Sequence, residues 1–239
     1  MSEKVKGVAI VSGGLDSVTM LYDGIRNHDW DPLVLSFNYG QRHNRELEAA
    51  ATICNVLGVK YEEVDVEDYG WLLSIGKSSL VNDNVAVPEG RYDDESMKGT
   101  VVPNRNMVML SMAVGACIAI EGQFVATAVH AGDHAIYPDC RPDFLGKFQA
   151  AVMSANEGFI HPNFFVEAPF IYKTKTDIAR LAGELNVPIG LTWSCYKGED
   201  YHCGRCGTCV ERLEALHEAS VEDDTIYLDI DYWRTQVNV

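Results

Sequence analysis

The strongest constraint on this chain is a six-residue junction, Ser12-Gly13-Gly14-Leu15-Asp16-Ser17, set between a β-branched run and a helix-periodic one. Residues 5–11 (VKGVAIV) have the make-up of a strand buried on both faces. Over 15–26, Leu15, Val18, Met20, Leu21 and Ile25 recur at roughly helical spacing. Glycine in such a turn permits positive φ and lets backbone amides approach an anion. The first helical turn then adds unpaired N–H groups and the positive end of the helix dipole. Ser12 and Ser17 contribute hydroxyls, so residues Ile10, Val11, Ser12, Gly13, Gly14, Leu15, Asp16 and Ser17 read as a phosphate cradle. No lysine follows the glycines, and the spacing is not G-x-G-x-x-G, so neither common nucleotide loop fits. Asp16 suits either a Mg²⁺ ligand or a helix cap.

The strand–helix alternation continues. Strands are expected at 32–39 and 59–66 around an alanine-rich helix at 45–57, implying right-handed crossovers and a doubly wound, mostly parallel α/β sheet. Residues 67–103 read as a long irregular loop, of a length that is usually functional or disordered. Beyond it, helices are expected at 107–120, 142–156 and 174–185, with strands at 124–129 and 164–168. After residue 190 the composition shifts to Cys, Gly and Trp, which divides the chain into an α/β domain at 1–189 and a small segment at 190–239. With 47% hydrophobic and 23% charged residues, 239 residues can bury a sizeable core.

Nineteen basic against 35 acidic side chains leave a net charge of −16, which argues against gripping nucleic acid through the overall field. The opening MSEKVK lacks the apolar core of a signal peptide, and no run approaches a membrane span. A soluble cytoplasmic protein is expected, with no nucleic-acid or membrane partner.

Seven cysteines are unevenly placed, and Cys195, Cys203, Cys206 and Cys209 form C-x(7)-C-x(2)-C-x(2)-C. Short spacings with Gly204 and Gly207 at the turns let four thiolates converge on one cation, which suits structural Zn²⁺; an iron–sulfur cluster is the rival. His202 is dispensable if all four sulfurs bind. The surrounding cations, Lys197, Arg205 and Arg212, are balanced by acids, so a clamp is favoured over a nucleic-acid reader. Cys54 and Cys117 read as core.

The loop at 12–17 resembles that of the PP-loop ATP pyrophosphatases, which split ATP between its α and β phosphates. Together with the cysteine spacing and the stretches 36–43 (SFNYGQRH), 102–106 (VPNRN), 137–142 (YPDCRP), 173–175 (KTK) and 192–196 (TWSCY), it resembles the 7-cyano-7-deazaguanine synthases, the QueC family, over nearly the whole chain. The resemblance implies conversion of 7-carboxy-7-deazaguanine, free ammonia and ATP with Mg²⁺ into the 7-cyano product, preQ0, by a homodimer. Replacing –COO⁻ by –C≡N removes two oxygens, neither of which leaves unaided. Two adenylations, through an amide, with AMP and pyrophosphate released each time, are therefore expected.

Within that frame Arg105, between Asn104 and Asn106 at a helix start, could pair with a carboxylate or a phosphate, with the asparagines as contacts or caps. Gln41, Arg42 and His43 follow the second strand and could face ATP or substrate, or merely begin a helix. Asp139 suits a guanine-like N–H edge beside Arg141, and Lys175 could bind phosphate or lie exposed. Cys140 could mark sulfur transfer, although a small buried side chain is favoured. His130 and His134 bracket a turn and read as structural.

Overall fold

A computed structural model describes residues 4–41, 44–82, 84–92 and 97–237. Five parallel strands, β1 (Val5–Ile10), β2 (Trp30–Asn38), β3 (Lys60–Asp65), β4 (Phe124–Ala126) and β5 (Phe165–Glu167), form one sheet in the order β3-β2-β1-β4-β5. The helices are α1 (Leu15–Asn27), α2 (Arg45–Leu57), α3 (Glu67–Leu73), α4 (Arg105–Ala119), α5 (Pro142–Ala155), α6 (Lys175–Glu184), α7 (Gly207–Glu218) and α8 (Tyr232–Val237).

Alternation along the strands divides the core in two. Val8, Leu35 and Val125 pack with α4 and α5 on one face. Ala9, Val34 and Ala126 pack with α1, α2, α6 and α7 on the other. Both faces are covered, which is why the strands read as near-continuous apolar runs. Close packing at the centre needs Gly7: a Cβ there would lie 2.4 Å from the Phe124 ring on the paired strand. The sheet order reverses at β1, between β2 and β4, so the crevice beyond the carboxyl ends of β1 and β4 is the ligand position of such folds.

Some boundaries differ from expectation. The strand expected at 124–129 ends at Ala126, beyond which Thr127 donates one last bond to Glu167. The segment expected to be irregular at 67–103 contains α3, begun by Asp65 Oδ1 accepting the Glu67 N–H at 3.0 Å, and a 3₁₀ turn at Lys98–Thr100. α3 has no amphipathic pattern to betray it, since Trp71 and Leu72 stay exposed. What seats it is tertiary: Gly70 lies so close to the Tyr39 backbone that a Cβ would reach 1.6 Å from the carbonyl oxygen.

α7 and α8 were not foreseen. Ala215 and Leu216 of α7 belong to the same core as α1 and α6, and Trp233 of α8 packs on Val210 and Leu213. The centre of this region is Arg212, fully buried, which donates to Thr192 Oγ1 at 2.6 Å, the Ile189 carbonyl at 2.9 Å and Thr225 Oγ1 at 2.8 Å, and pairs with Asp223 at 3.3 Å. Every donor direction of the guanidinium is used, which is what makes a buried charge tolerable. Among the described residues no helix is long and apolar enough to cross a membrane.

Candidate active site

The phosphate loop is ordered by its own side chains. Ser17 Oγ accepts from the Ser12 N–H at 3.2 Å and donates to the Gly14 carbonyl at 3.1 Å, while Ser12 Oγ accepts from the Gly14 N–H at 3.3 Å. Gly13 adopts φ +90°, and a Cβ there would lie 2.1 Å from the Glu46 carbonyl oxygen of α2. Only glycine therefore lets the loop seat against α2. Leu15 points into the core and anchors the start of α1.

A cavity of about 240 Å³ opens over this loop. Of the residues expected at the site, Ile10, Val11, Ser12, Gly14, Asp16, Ser17, Gln41, Arg105 and Asn106 line it. Lys175 does not line the cavity; it stands in the first turn of α6, which Thr174 and Asp177 cap reciprocally, and its Nζ lies 2.6 Å from Asp16 Oδ2 and 3.4 Å from Glu211. Burial works to raise the Asp16 carboxyl, but the Lys175 ammonium, aided by His130, outweighs it and holds the group below the usual carboxylate range. Burial opposes the Lys175 charge too, yet Asp16 and Glu211 push its pKa above that of a free lysine. Asp16 Oδ1 is buried with no hydrogen-bond partner. His130 Nδ1 accepts from the Gly132 N–H at 3.1 Å, and its Nε2 lies 3.8 Å from Asp16, so the histidine backs the ion pair.

Arg105 enters from the start of α4, its guanidinium 5.8 Å from the Tyr39 ring centroid and 3.3 Å from the Tyr39 hydroxyl. Asn104, at φ +60°, makes the turn before α4 and forms no side-chain cap. Asn106 Nδ2 donates to Cys140 Sγ at 3.2 Å. Gln41 folds back on its own turn, accepting from the Tyr39 N–H at 2.9 Å. Asp139 and Arg141 do not line the cavity: Asp139 Oδ2 accepts the Asn106 N–H at 3.2 Å, and Arg141 Nε donates to the His134 carbonyl at 2.7 Å. Arg42 and His43 lie outside the described residues. Burial, together with Asp133 and Asp139, pushes the Cys140 thiol far up, so it is not the exposed thiolate that sulfur transfer uses.

Several cavity residues carry no local sequence signal. Tyr92 comes from the long 67–103 segment, while Asp133 is fixed by the His130 N–H at 3.1 Å; Tyr196, directly after Cys195, belongs to the 192–196 stretch. Glu211 reaches Lys175 from α7, and its carboxyl is raised by burial against the Lys175 charge. Glu46, on the first turn of α2, also lines the cavity.

At the other end of the chain the four cysteine sulfurs lie within 4.8 Å of one another, all buried. Four thiolates at ordinary Zn–S distance around one ion stand about 3.8 Å apart, and Cys203 and Cys209 are at 4.0 Å. Backbone N–H groups of Arg205 and Cys206 point at Cys203 Sγ at 3.3 and 3.2 Å, and Cys203 N–H at Cys195 Sγ at 3.3 Å, donors that favour thiolate. The group could bind a metal. His202 is not among these ligands; its Nε2 accepts the Ser194 N–H at 3.1 Å and its ring stacks 4.2 Å from Trp193. The Trp193 backbone N–H in turn donates to the Gly13 carbonyl at 2.9 Å, tying the knob to the loop at 12–17.

Comparison with known proteins decides the family. The family described as queuosine biosynthesis protein QueC matches residues 6–220. The chain belongs to the QueC family. It is 45% identical over 233 residues to a 7-cyano-7-deazaguanine synthase of Brucella anthropi, covering 98% of each chain. It is 46% identical over 230 residues to that of Brucella ovis, covering 96% of this chain and 97% of the relative. Among solved structures, an NH3-dependent NAD synthetase from Campylobacter jejuni is 16% identical with a TM-score of 0.46, covering 80% of this chain and 68% of that one.

Proposed function

We propose that this member of the QueC family is an ATP-dependent carbon–nitrogen ligase that converts 7-carboxy-7-deazaguanine and ammonia into 7-cyano-7-deazaguanine. The observation that carries the reading is the convergence of the loop 12–17 and Arg105 on one cavity at the carboxyl edge of β1 and β4, with Lys175 paired to the loop's Asp16. Amides of the loop and of the first turn of α1 receive phosphate oxygens, with the Ser12 and Ser17 hydroxyls as further donors. Arg105, half-buried and held against Tyr39, takes the substrate carboxylate or an ATP phosphate. Lys175 stands beside the loop as a cation for the leaving pyrophosphate. Mg²⁺, when bound, supplies charge neutralisation on phosphate oxygens, and the unpartnered Oδ1 of Asp16 is the carboxylate oxygen to hold it.

In the sequence of steps we assign, the carboxylate is adenylated and ammonia displaces AMP to give the amide. The amide oxygen is then adenylated in turn, and loss of AMP leaves the nitrile. Residues 1–189 provide the ATP-binding unit. In residues 190–239 the cysteine group holds a structural Zn²⁺, because four sulfurs this close suit a single ion better than the corners of an iron–sulfur cubane. The resemblance supports a cytoplasmic homodimer acting on small molecules.

The test is incubation with ATP, ammonium and 7-carboxy-7-deazaguanine, followed by mass analysis. Nitrile with two AMP and two pyrophosphate per turnover is expected, and ADP with phosphate would refute the adenylation route.

A further inference from the structure

Recognition of a guanine-type ring leaves a specific demand on the cavity wall. The pyrimidinone edge offers a ring N–H and an exocyclic amine side by side, two donors that a single carboxylate accepts in parallel. Asp139, which suits that task in the sequence, is committed to the Asn106 amide at the start of α4 and does not line the cavity.

Among the described residues three carboxylates do line it: Asp16, Glu46 and Asp133. Asp16 is taken by Lys175 at 2.6 Å. Asp133 is taken by the His130 amide at 3.1 Å and the Tyr92 hydroxyl at 3.4 Å. Glu46 receives no hydrogen bond from any described residue, and Arg105 acts on it only through space. Its backbone is clamped, because the Glu46 carbonyl sits directly against Gly13 of the phosphate loop. The carboxylate is therefore held in fixed relation to the place where ATP phosphates bind. Phe37, Tyr39, Tyr137 and Tyr196 supply flat apolar walls to the same cavity, as a bicyclic ring requires.

We propose that Glu46 is a specificity-determining residue that accepts the ring N–H and exocyclic amine of the 7-deazaguanine substrate. The inference rests on the function proposed above. Burial pushes the Glu46 carboxyl up to about 7, against the Arg105 charge. Glu46 is half-buried, so a bound ring covers its carboxylate and must replace water with its own donors. An analogue lacking those donors leaves that water unreplaced and is rejected.

The experiment measures steady-state kinetics and equilibrium binding for 7-carboxy-7-deazaguanine and its analogue without the exocyclic amine, on wild type, Glu46→Gln and Glu46→Asp. Wild type should discriminate against the analogue by roughly 10²-fold or more in kcat/KM. Glu46→Gln should weaken acid binding by a similar factor, mainly through KM, with discrimination collapsing and KM for ATP little changed. Glu46→Asp, which keeps the carboxylate, should restore part of the discrimination, separating recognition from misfolding. Wild-type discrimination in Glu46→Gln would overturn the inference and leave the function intact. A loss confined to kcat would also overturn it, making Glu46 a proton acceptor instead. If the wild-type enzyme neither binds nor converts the acid, the function itself falls, and this inference with it.

Discussion

The phosphate loop and the cysteine knob are both short, glycine-bearing turns at the start of a helix, yet they are held in opposite ways. The loop closes largely on itself, its serine side chains bonding only to groups between Ser12 and Ser17. The knob is assembled from distant segments. Gly90 donates to the Arg205 carbonyl at 2.9 Å, Lys197 pairs with Glu89 at 2.5 Å, and Gly204 lies so close to Asp229 that a Cβ would reach 1.8 Å from its carbonyl oxygen. A turn stabilised locally needs only its own residues, whereas the four buried cysteines converge from separate segments and could bind a metal. The Trp193–Gly13 bond joins the two, so the knob can position the loop without contributing to it chemically.

The largest effect should come from the knob. Structural zinc contributes about 10–16 kcal/mol in small zinc domains, so if the proposed Zn²⁺ is held there, chelation or Cys206→Ser should remove it, lower Tm by roughly 10 °C or more and abolish activity. Hydrogen exchange should show α7 and α8 losing protection well before β1 and α1. Equal loss at both ends would mean that the loop and knob form one cooperative unit and would break the contrast.

A smaller effect is expected at the loop. Lys175→Met leaves Asp16 and Glu211 without their cation, so kcat should fall at least ~10²-fold while stability at pH 7 drops by about 1–3 kcal/mol. The sign follows from Asp16, whose folded pKa is depressed. Its pairing stabilises above the unfolded value of 3.8 and is lost as pH falls through the folded one. The Tm gap between wild type and variant should thus narrow as pH is taken below about 4. A gap that widened on acidification would show that the pair does not govern Asp16.

The smallest effect should be at Arg45, which bridges α2 to Asp200 at 2.7 Å and lies 5.9 Å from the Trp193 ring centroid. Both partners are exposed, and Arg45→Ala should change stability by less than about 1 kcal/mol by calorimetry. A larger loss would show that the knob is docked onto the loop through this contact as well.

How legible each part was in the sequence follows the same division. α2 stands at Arg45–Leu57, where the alanine-rich composition places it, because its apolar face is its own. α3 lacks such a face and is seated by Tyr39, whereas α7 has one in Val210, Leu213 and Leu216 that the cysteine and glycine composition around it masks. Among site residues, the loop and the four cysteines are marked by spacing, since their partners lie a few positions away. Glu46 and Glu211 look like ordinary helix carboxylates, and only their neighbours across the cavity make them otherwise. Asp139 and Arg141, polar residues in a loop after β4, each bond to the backbone and do not line the cavity.

By itself, then, the sequence determined the parallel α/β plan, the phosphate cradle and the four-sulfur site. Each is written in hydrophobic period or in residues within a few positions of one another, where backbone geometry leaves few alternatives. Only the tertiary structure decided which carboxylates are paired and which is left open, that Arg212 is a fully buried clamp, and that the chain's last fifty residues close against its first twenty. Those outcomes depend on contacts between residues far apart in the chain, and side-chain identity alone does not encode which donor a carboxylate will meet.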